Sequence, residues 1–224
     1  MNKKWFSLTG LIIGSLTPDF EYFIRMKILS IHSHTLWGVL WFNLPLGILM
    51  CFIFHQIISD NLFQNLPLFL KSRLMIFTNF NWVKYFKSNW IVVIYSIIIG
   101  AFSHLFWDSF THEDGYFVEH FYCLKNSILI FGNTIFVFKI LQHSSSILGA
   151  FVILYAILKL PKKELKNSQI NLKYWYCIFT ITILILSLKF AFGMSINAFG
   201  NIIVSGLSTV IVALIITPFL IQKK

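Results

Sequence analysis

The stretch WIVVIYSIIIGAFSHLFWDSF, residues 90–110, decides the class of fold. Its first half has no charged residue, and its length matches the roughly 20 residues that a helix needs to cross a bilayer. His104 and Asp108 lie inside the same apolar run, close to its end. The stretch therefore predicts a membrane-spanning helix that carries two ionisable side chains near one face of the membrane.

The composition of the whole chain indicates a membrane protein. Of its 224 residues, 57% are hydrophobic and 12% are charged, and the mean hydropathy is +0.76. Further apolar segments lie at residues 36–58, 145–160, 174–192 and 201–221, with a shorter one at 5–16. These segments leave no soluble domain, so we predict an all-α polytopic bundle of about six transmembrane helices with the lipid bilayer as its surroundings.

The segments between these helices complete the expected organisation. Residues 59–89 are predicted to be a mixed loop, and residues 127–141 an interfacial or re-entrant segment, because Gly132-Asn133 and Lys139 interrupt them. We expect residues 1–160 to form the membrane domain with the polar cluster. Residues 161–224 would add a basic cytoplasmic loop and a C-terminal transmembrane hairpin, all within one integral domain.

Lysine and arginine residues predict the orientation of the chain. If the amino terminus is cytoplasmic, thirteen of the 18 lie on the cytoplasmic side, which favours two cytoplasmic termini. The cytoplasmic set is Lys3, Lys4, Lys71, Arg73, Lys84, Lys87, Lys159, Lys162, Lys163, Lys166, Lys173, Lys223 and Lys224, and the outer set is Arg25, Lys27, Lys125, Lys139 and Lys189. Orientation in the membrane thus explains the net charge of +10, and nucleic acid is not an expected partner.

This topology places the residues that bind metals on the outer side. His104, Asp108 and His112 recur every four residues, so they lie along one stripe of a helix. Eight residues rise about 12 Å, which is too far for both histidines to bind one ion easily. One ion would therefore need ligands from other segments, such as Asp19 and His34, or two ions would share Asp108.

Each of these residues also has a simpler explanation. His104 and Asp108 could be a hydrogen-bonded pair that only holds helices together, and Asp19 could cap a turn after Pro18. Glu21 could be a solvated charge. We favour a functional site because ionisable groups are costly inside a membrane segment, and because so many histidines and carboxylates gather on one side.

Four motifs in this order resemble a known family. They are GSLTPDFEYF at 14–23, HSHTLWG at 32–38, GAFSHLFWDSFTHEDG at 100–115 and LQHSSSILG at 141–149. Together they resemble the bacterial membrane proteins of domain of unknown function 4184, over about the first two thirds of the chain. More distantly, the set is similar to inner-membrane metal-dependent hydrolases regulated by the SOS repressor. Its helix-borne H-x3-D is similar to that of zinc-dependent phospholipase C and P1 nuclease.

These resemblances imply a set of ligands. Asp19, His34, His104 and Asp108 would bind the metal, with His112 and Glu21 as further candidates. Members of the first family usually begin with an additional segment of the kind PFTLSHPA, whose histidine would be another ligand. We therefore expect either that this chain begins late or that it works with fewer ligands.

The leading hypothesis is a metal-dependent hydrolase of the bacterial inner membrane with an outward-facing site. A divalent ion, expected to be zinc, would activate water, and Glu21 or Asp108 would act as the catalytic residue that handles the proton. Because head groups lie at the membrane surface, the expected substrate is a phosphoester or a lipid-like envelope molecule. The alternatives are an ion- or proton-coupled transporter and a non-catalytic scaffold with a vestigial metal site.

Overall fold

The computed structural model describes residues 5–165 and 170–221. The basic residues Lys3, Lys4, Lys166, Lys223 and Lys224, which contribute to the predicted orientation, lie outside these ranges. The helices are α1 Leu8–Arg25, α2 Leu36–Asn65, α3 Leu68–Leu74, α4 Trp82–Thr111, α5 Tyr116–His120, α6 Tyr122–Lys125, α7 Val137–Lys159, α8 Leu172–Ala191 and α9 Phe199–Leu220. Two strands, β1 Ser127–Ile130 and β2 Asn133–Phe136, precede α7.

Five helical runs in the described residues are long and apolar enough to cross a membrane. They are Leu36–Asn65, Trp82–His120, Val137–Lys159, Leu172–Ala191 and Phe199–Leu220. The predicted all-α membrane bundle is thereby confirmed, with five such runs where about six were expected. The difference is α1, which has 18 residues but includes Asp19, Glu21 and Arg25.

Helix α1 is longer than the sequence suggested. We expected it to end near residue 16, with Pro18 and Asp19 just beyond it, but it continues to Arg25. Pro18 has no N–H to donate to the carbonyl of Gly14. The hydroxyl of Thr17 donates to that carbonyl instead, at 2.7 Å, so no buried acceptor is lost where the helix passes the proline. Asp19 and Glu21 consequently lie on a helix.

The regions that we predicted to be irregular also contain regular structure. The expected loop at 59–89 holds the end of α2, helix α3, a 3-10 turn at Met75–Phe77 and the start of α4, which bends at Asn89. The segment at 127–141, which we expected to be interfacial or re-entrant, forms a β-hairpin followed by the start of α7. Phe131 and Gly132 both have positive φ, as a two-residue hairpin turn requires, and the strands then pair their own backbone groups.

Contacts divide the chain into two compact units. The first comprises residues 1–101 and 162–224, and the second comprises residues 102–161. In the first unit, an apolar core formed by α1, α2 and α4 includes Ile13, Met50 and Ile97, and α8 packs against α9 around Tyr174 and Ala213. In the second unit, the indole N–H of Trp107 donates to the hydroxyl of Ser145 at 3.2 Å and so links α4 to α7.

Small residues bring α1 and α4 together within the first unit. A Cβ added at Gly14 would collide with the backbone of Ile97, and one added at Gly100 would collide with the backbone at Leu11 and Ser15. Gly10 likewise lies against Ser96. The contacts therefore advance along both helices in the same direction, from Gly10 and Ser96 to Ser15 and Gly100, so the two helices run parallel. Close approach at small residues is typical of packing between membrane helices, where there is little hydrophobic driving force.

Candidate metal centre

Asp19 and His34 form the first pair of predicted ligands. Asp19 lies on α1, and His34 ends the loop that leads into α2; Oδ1 of Asp19 is 3.7 Å from Nε2 of His34. The ring of Tyr22 stacks on the imidazole of His34, with centroids 5.2 Å apart. The next residue, Thr35, caps α2 by accepting the N–H of Gly38 at 2.9 Å. His34 is thus fixed by ring stacking on one side and by a helix start on the other.

Glu21 ties this loop to α1. Its side chain is 2% exposed, and its Oε1 accepts two hydrogen bonds from Arg25, at 3.0 and 2.8 Å. Oε2 accepts the N–H groups of His32 and Ser33, each at 2.9 Å, and the hydroxyl of Ser30 at 3.2 Å. Burial raises the pKa of Glu21, but the hydrogen bonds from Ser33, His32 and Arg25 outweigh it and hold the pKa well below its usual range.

The other ring nitrogen of His34 has partners of its own. Nδ1 lies 3.0 Å from the hydroxyl oxygen of Ser30 and 3.2 Å from that of Ser33. The two hydroxyls are 2.8 Å apart. A histidine ligand usually has its second nitrogen bonded in this way, which fixes the orientation of the ring. This arrangement leaves Nε2 as the nitrogen that faces Asp19.

The stripe predicted on α4 is formed as expected from helix periodicity. Oδ2 of Asp108 is 3.0 Å from Nε2 of His104, and Oδ1 is 3.5 Å from Nδ1 of His112. One carboxylate therefore lies between two imidazoles, each one turn away along the helix. His112 is the most exposed of the three, at 43%. The stripe can hold an ion or a proton, with His112 as its contact with solvent.

Three of the predicted ligands come together. Asp19, His34 and His104 each offer one ligand atom, and these atoms lie within 4.8 Å of one another. Two imidazoles and one carboxylate are ligand types that zinc and other divalent transition ions accept. The donor set therefore fits the expected ion. Asp108 adjoins this group through His104, and His112 lies one turn further along α4.

Three other histidines, outside the predicted set of ligands, have different surroundings. The ring of His32 packs against Trp41, with centroids 4.9 Å apart, and the backbone N–H of His32 donates to Glu21. His143 is exposed on α7. His55 stacks on Trp82 and hydrogen-bonds with Thr9.

Sequence reasoning missed the two serines beside His34. Ser30 and Ser33 stand in SIHSH, residues 30–34, and this alternation of short polar residues with histidines was an available signal. It could not be interpreted from the sequence alone, because the partner Glu21 lies on α1, nine residues before Ser30.

The comparisons with known proteins give a family and no relative of known activity. A search of curated proteins found no match, and a search of solved structures found none either. A family model described as Domain of unknown function (DUF4184) matches residues 1–219, which include all five predicted ligands. The resemblance seen in the four sequence motifs is thereby confirmed, and the chain belongs to the DUF4184 family.

Proposed function

We propose that this protein is a metal-dependent hydrolase of the bacterial cytoplasmic membrane, acting on a phosphoester or lipid-like envelope substrate at the outer membrane surface. The observation that carries the proposal is the meeting of Asp19, His34 and His104, which come from different segments of the chain. Ionisable groups are expensive in and beside membrane segments, so a group of this composition is a functional site by default.

The ligands of the proposed ion follow from the contacts. Asp19 would contribute a carboxylate oxygen, and His34 would contribute Nε2, because its Nδ1 is engaged by two serines. His104 would contribute the third donor, with Asp108 beside it. A divalent ion bound there, zinc by expectation, would lower the pKa of a water molecule and polarise a phosphoryl or acyl oxygen.

Asp108 is the better of the two carboxylates that we predicted to handle a proton. Its two oxygens face His104 and His112, so a proton accepted at Asp108 can pass to the half-exposed His112 and then to solvent. Glu21 accepts from Arg25, Ser30, His32 and Ser33, and both its oxygens are occupied. Its catalytic role stays a prediction that this geometry does not favour.

The class of substrate follows from the proposed position of the site. Lysine and arginine are in excess in the segments that we predict to be cytoplasmic, which favours both termini in the cytoplasm. This orientation would put Asp19, His34 and His104 on the outer side. A site at that level would open where lipid head groups and envelope phosphoesters lie.

The test begins with the protein purified in detergent without chelator. Its bound metal is measured by elemental mass spectrometry, and hydrolysis of phosphomonoesters, phosphodiesters and phospholipids is assayed after loading with zinc. We expect near-stoichiometric metal and hydrolysis that both fall on Asp108→Ala, while Asp114→Ala, an exposed aspartate near the same helix end, keeps both. If the purified protein binds metal but hydrolyses none of these substrates, the proposed hydrolase activity is overturned. If it binds no metal, the proposed metal site is overturned.

A further inference from the structure

Glu21 lies on the helix that carries Asp19, yet most of its contacts lead to the loop that carries His34. A glutamate that is 2% exposed needs strong partners to stay ionised, and it has them. Arg25 satisfies one oxygen, while the backbone N–H groups of His32 and Ser33 and the hydroxyl of Ser30 satisfy the other. Hydrogen bonds to this carboxylate therefore hold residues 30–33 against α1.

Ser30 connects this carboxylate to the imidazole of His34. Its oxygen is 3.2 Å from Oε2 of Glu21 and 3.0 Å from Nδ1 of His34. An ionised carboxylate can only accept, so the Ser30 hydroxyl donates to Glu21 and its oxygen accepts from the Nδ1–H of His34. Ser33 supports the same direction. Because the hydroxyl hydrogen of Ser30 goes to Glu21, the Ser33 hydroxyl, 2.8 Å away, donates to the oxygen of Ser30 and has no hydrogen left for Nδ1 of His34, which lies 3.2 Å from it.

This chain of hydrogen bonds has a consequence for the far side of the ring. A neutral imidazole with its proton on Nδ1 carries its lone pair on Nε2. Nε2 is the nitrogen that lies 3.7 Å from Asp19. The hydrogen-bond direction set at Glu21 thus presents a lone pair where a cation would bind.

We infer that Glu21 is a positioning residue: through Ser30 it sets the tautomer of His34, and through the N–H groups of His32 and Ser33 it holds the loop that carries this ligand. The inference replaces the proton-handling role that the sequence suggested for Glu21. It rests on the proposed function only in taking His34 to bind an ion, and the position of the loop can be tested without any metal.

Two variants separate the two effects of Glu21. Glu21→Gln keeps the size of the side chain, but its amide group presents N–H donors where the carboxylate had accepted, so both the loop and the tautomer lose support. Ser30→Ala removes the connection to His34 and leaves the N–H bonds from His32 and Ser33 to Glu21 intact. The matched controls are Glu119→Gln and Ser146→Ala, which change exposed residues on α5 and α7.

Two measurements are made on each detergent-solubilised variant. Binding of Co²⁺, which can substitute for zinc and absorbs visible light, is titrated by absorption. Amide hydrogen exchange over residues 28–36 is followed in the metal-free protein by mass spectrometry. We expect Glu21→Gln to weaken Co²⁺ binding at least about tenfold, as loss of an outer partner of a histidine ligand does, and to speed up exchange in this peptide. Ser30→Ala should weaken Co²⁺ binding with little change in exchange, and the controls should match the parent.

The outcomes distinguish this inference from the proposed function. If the parent binds Co²⁺ and Glu21→Gln binds it equally well, Glu21 does not position the ligand and the inference is overturned. If the parent binds no Co²⁺, the proposed ion is overturned, and exchange alone then decides whether Glu21 holds the loop. If amide hydrogen exchange over residues 28–36 is the same in Glu21→Gln as in the parent, the role of Glu21 in holding the loop is overturned as well. If Glu21→Gln does not fold, Ser30→Ala still tests the link to His34, because parent-like affinity would contradict it.

Discussion

The two groups of candidate ligands are held in different ways. His104, Asp108 and His112 meet because they are four residues apart on one helix, and any straight helix over residues 104–112 would bring them together. Asp19 and His34 are separated by the end of α1 and a loop, and they meet because Glu21, Arg25 and two serines fold that loop back. One group is local and robust, whereas the other depends on packing and on a buried charge.

The largest effect is expected where packing beneath α1 is broken. Gly14→Leu would force a side chain into the backbone of Ile97 and separate α1 from α4. We expect the free energy of unfolding to fall by about 3 kcal/mol or more, at the upper end for overpacked cores. In detergent this would appear as a strong fall in thermal stability or as a failure to obtain monodisperse protein. Gly149→Ala is the control, because nothing lies near a Cβ added there. Equal stability of the two variants would contradict this account of the helix contact.

The next largest effect is expected at the carboxylate shared by the stripe on α4. Asp108→Asn keeps the shape of the side chain but removes the charge that faces His104 and His112. We expect Co²⁺ affinity to fall about a hundredfold, or about 2.7 kcal/mol, with thermal stability nearly unchanged because helix α4 does not need the charge. A large loss of stability with unchanged affinity would show that the stripe is a structural pair, as the simpler explanation holds.

A smaller effect is expected at the proline that α1 accommodates. Thr17→Val removes the donor to the Gly14 carbonyl and should cost about 1 kcal/mol of unfolding free energy. Pro18→Ala restores a backbone N–H, so the double variant should recover most of this loss. Thermal melting of the single and double variants measures the coupling between residues 17 and 18. If the stability losses of the two single variants simply add in the double variant, the Thr17 hydroxyl does not replace the N–H that Pro18 lacks.

The smallest effect is expected at the solvent end of the stripe. His112→Gln removes an imidazole that is 43% exposed and does not belong to the group formed by Asp19, His34 and His104. Co²⁺ affinity should change by less than about threefold, since an exposed partner contributes well under 1 kcal/mol. If His112 passes a proton from Asp108, hydrolysis should fall much more than binding does. An affinity loss as large as that of Asp108→Asn would make His112 a ligand.

The sequence was informative wherever one helix was enough. Residues 90–110 predicted a membrane helix, and the spacing of His104, Asp108 and His112 predicted a stripe, because hydropathy and helix periodicity act over short distances. It was misleading at Pro18, where the hydroxyl of Thr17 restored a hydrogen bond that the proline had removed. At residues 127–136 it missed a hairpin, since a two-residue turn at Phe131 and Gly132 leaves little trace in hydropathy.

By itself, the sequence determined that this chain is an all-α membrane protein of its family and that Asp19, His34, His104 and Asp108 are the residues to examine. Residue type, hydropathy and motif order are properties of the chain alone. Only the tertiary structure decided what Glu21 does. Its carboxylate accepts from the backbone of His32 and Ser33 and, through Ser30, reaches His34. Those bonds exist only when the loop has folded onto α1, because a hydrogen bond requires atoms about 3 Å apart, and residue spacing does not specify that distance across a turn.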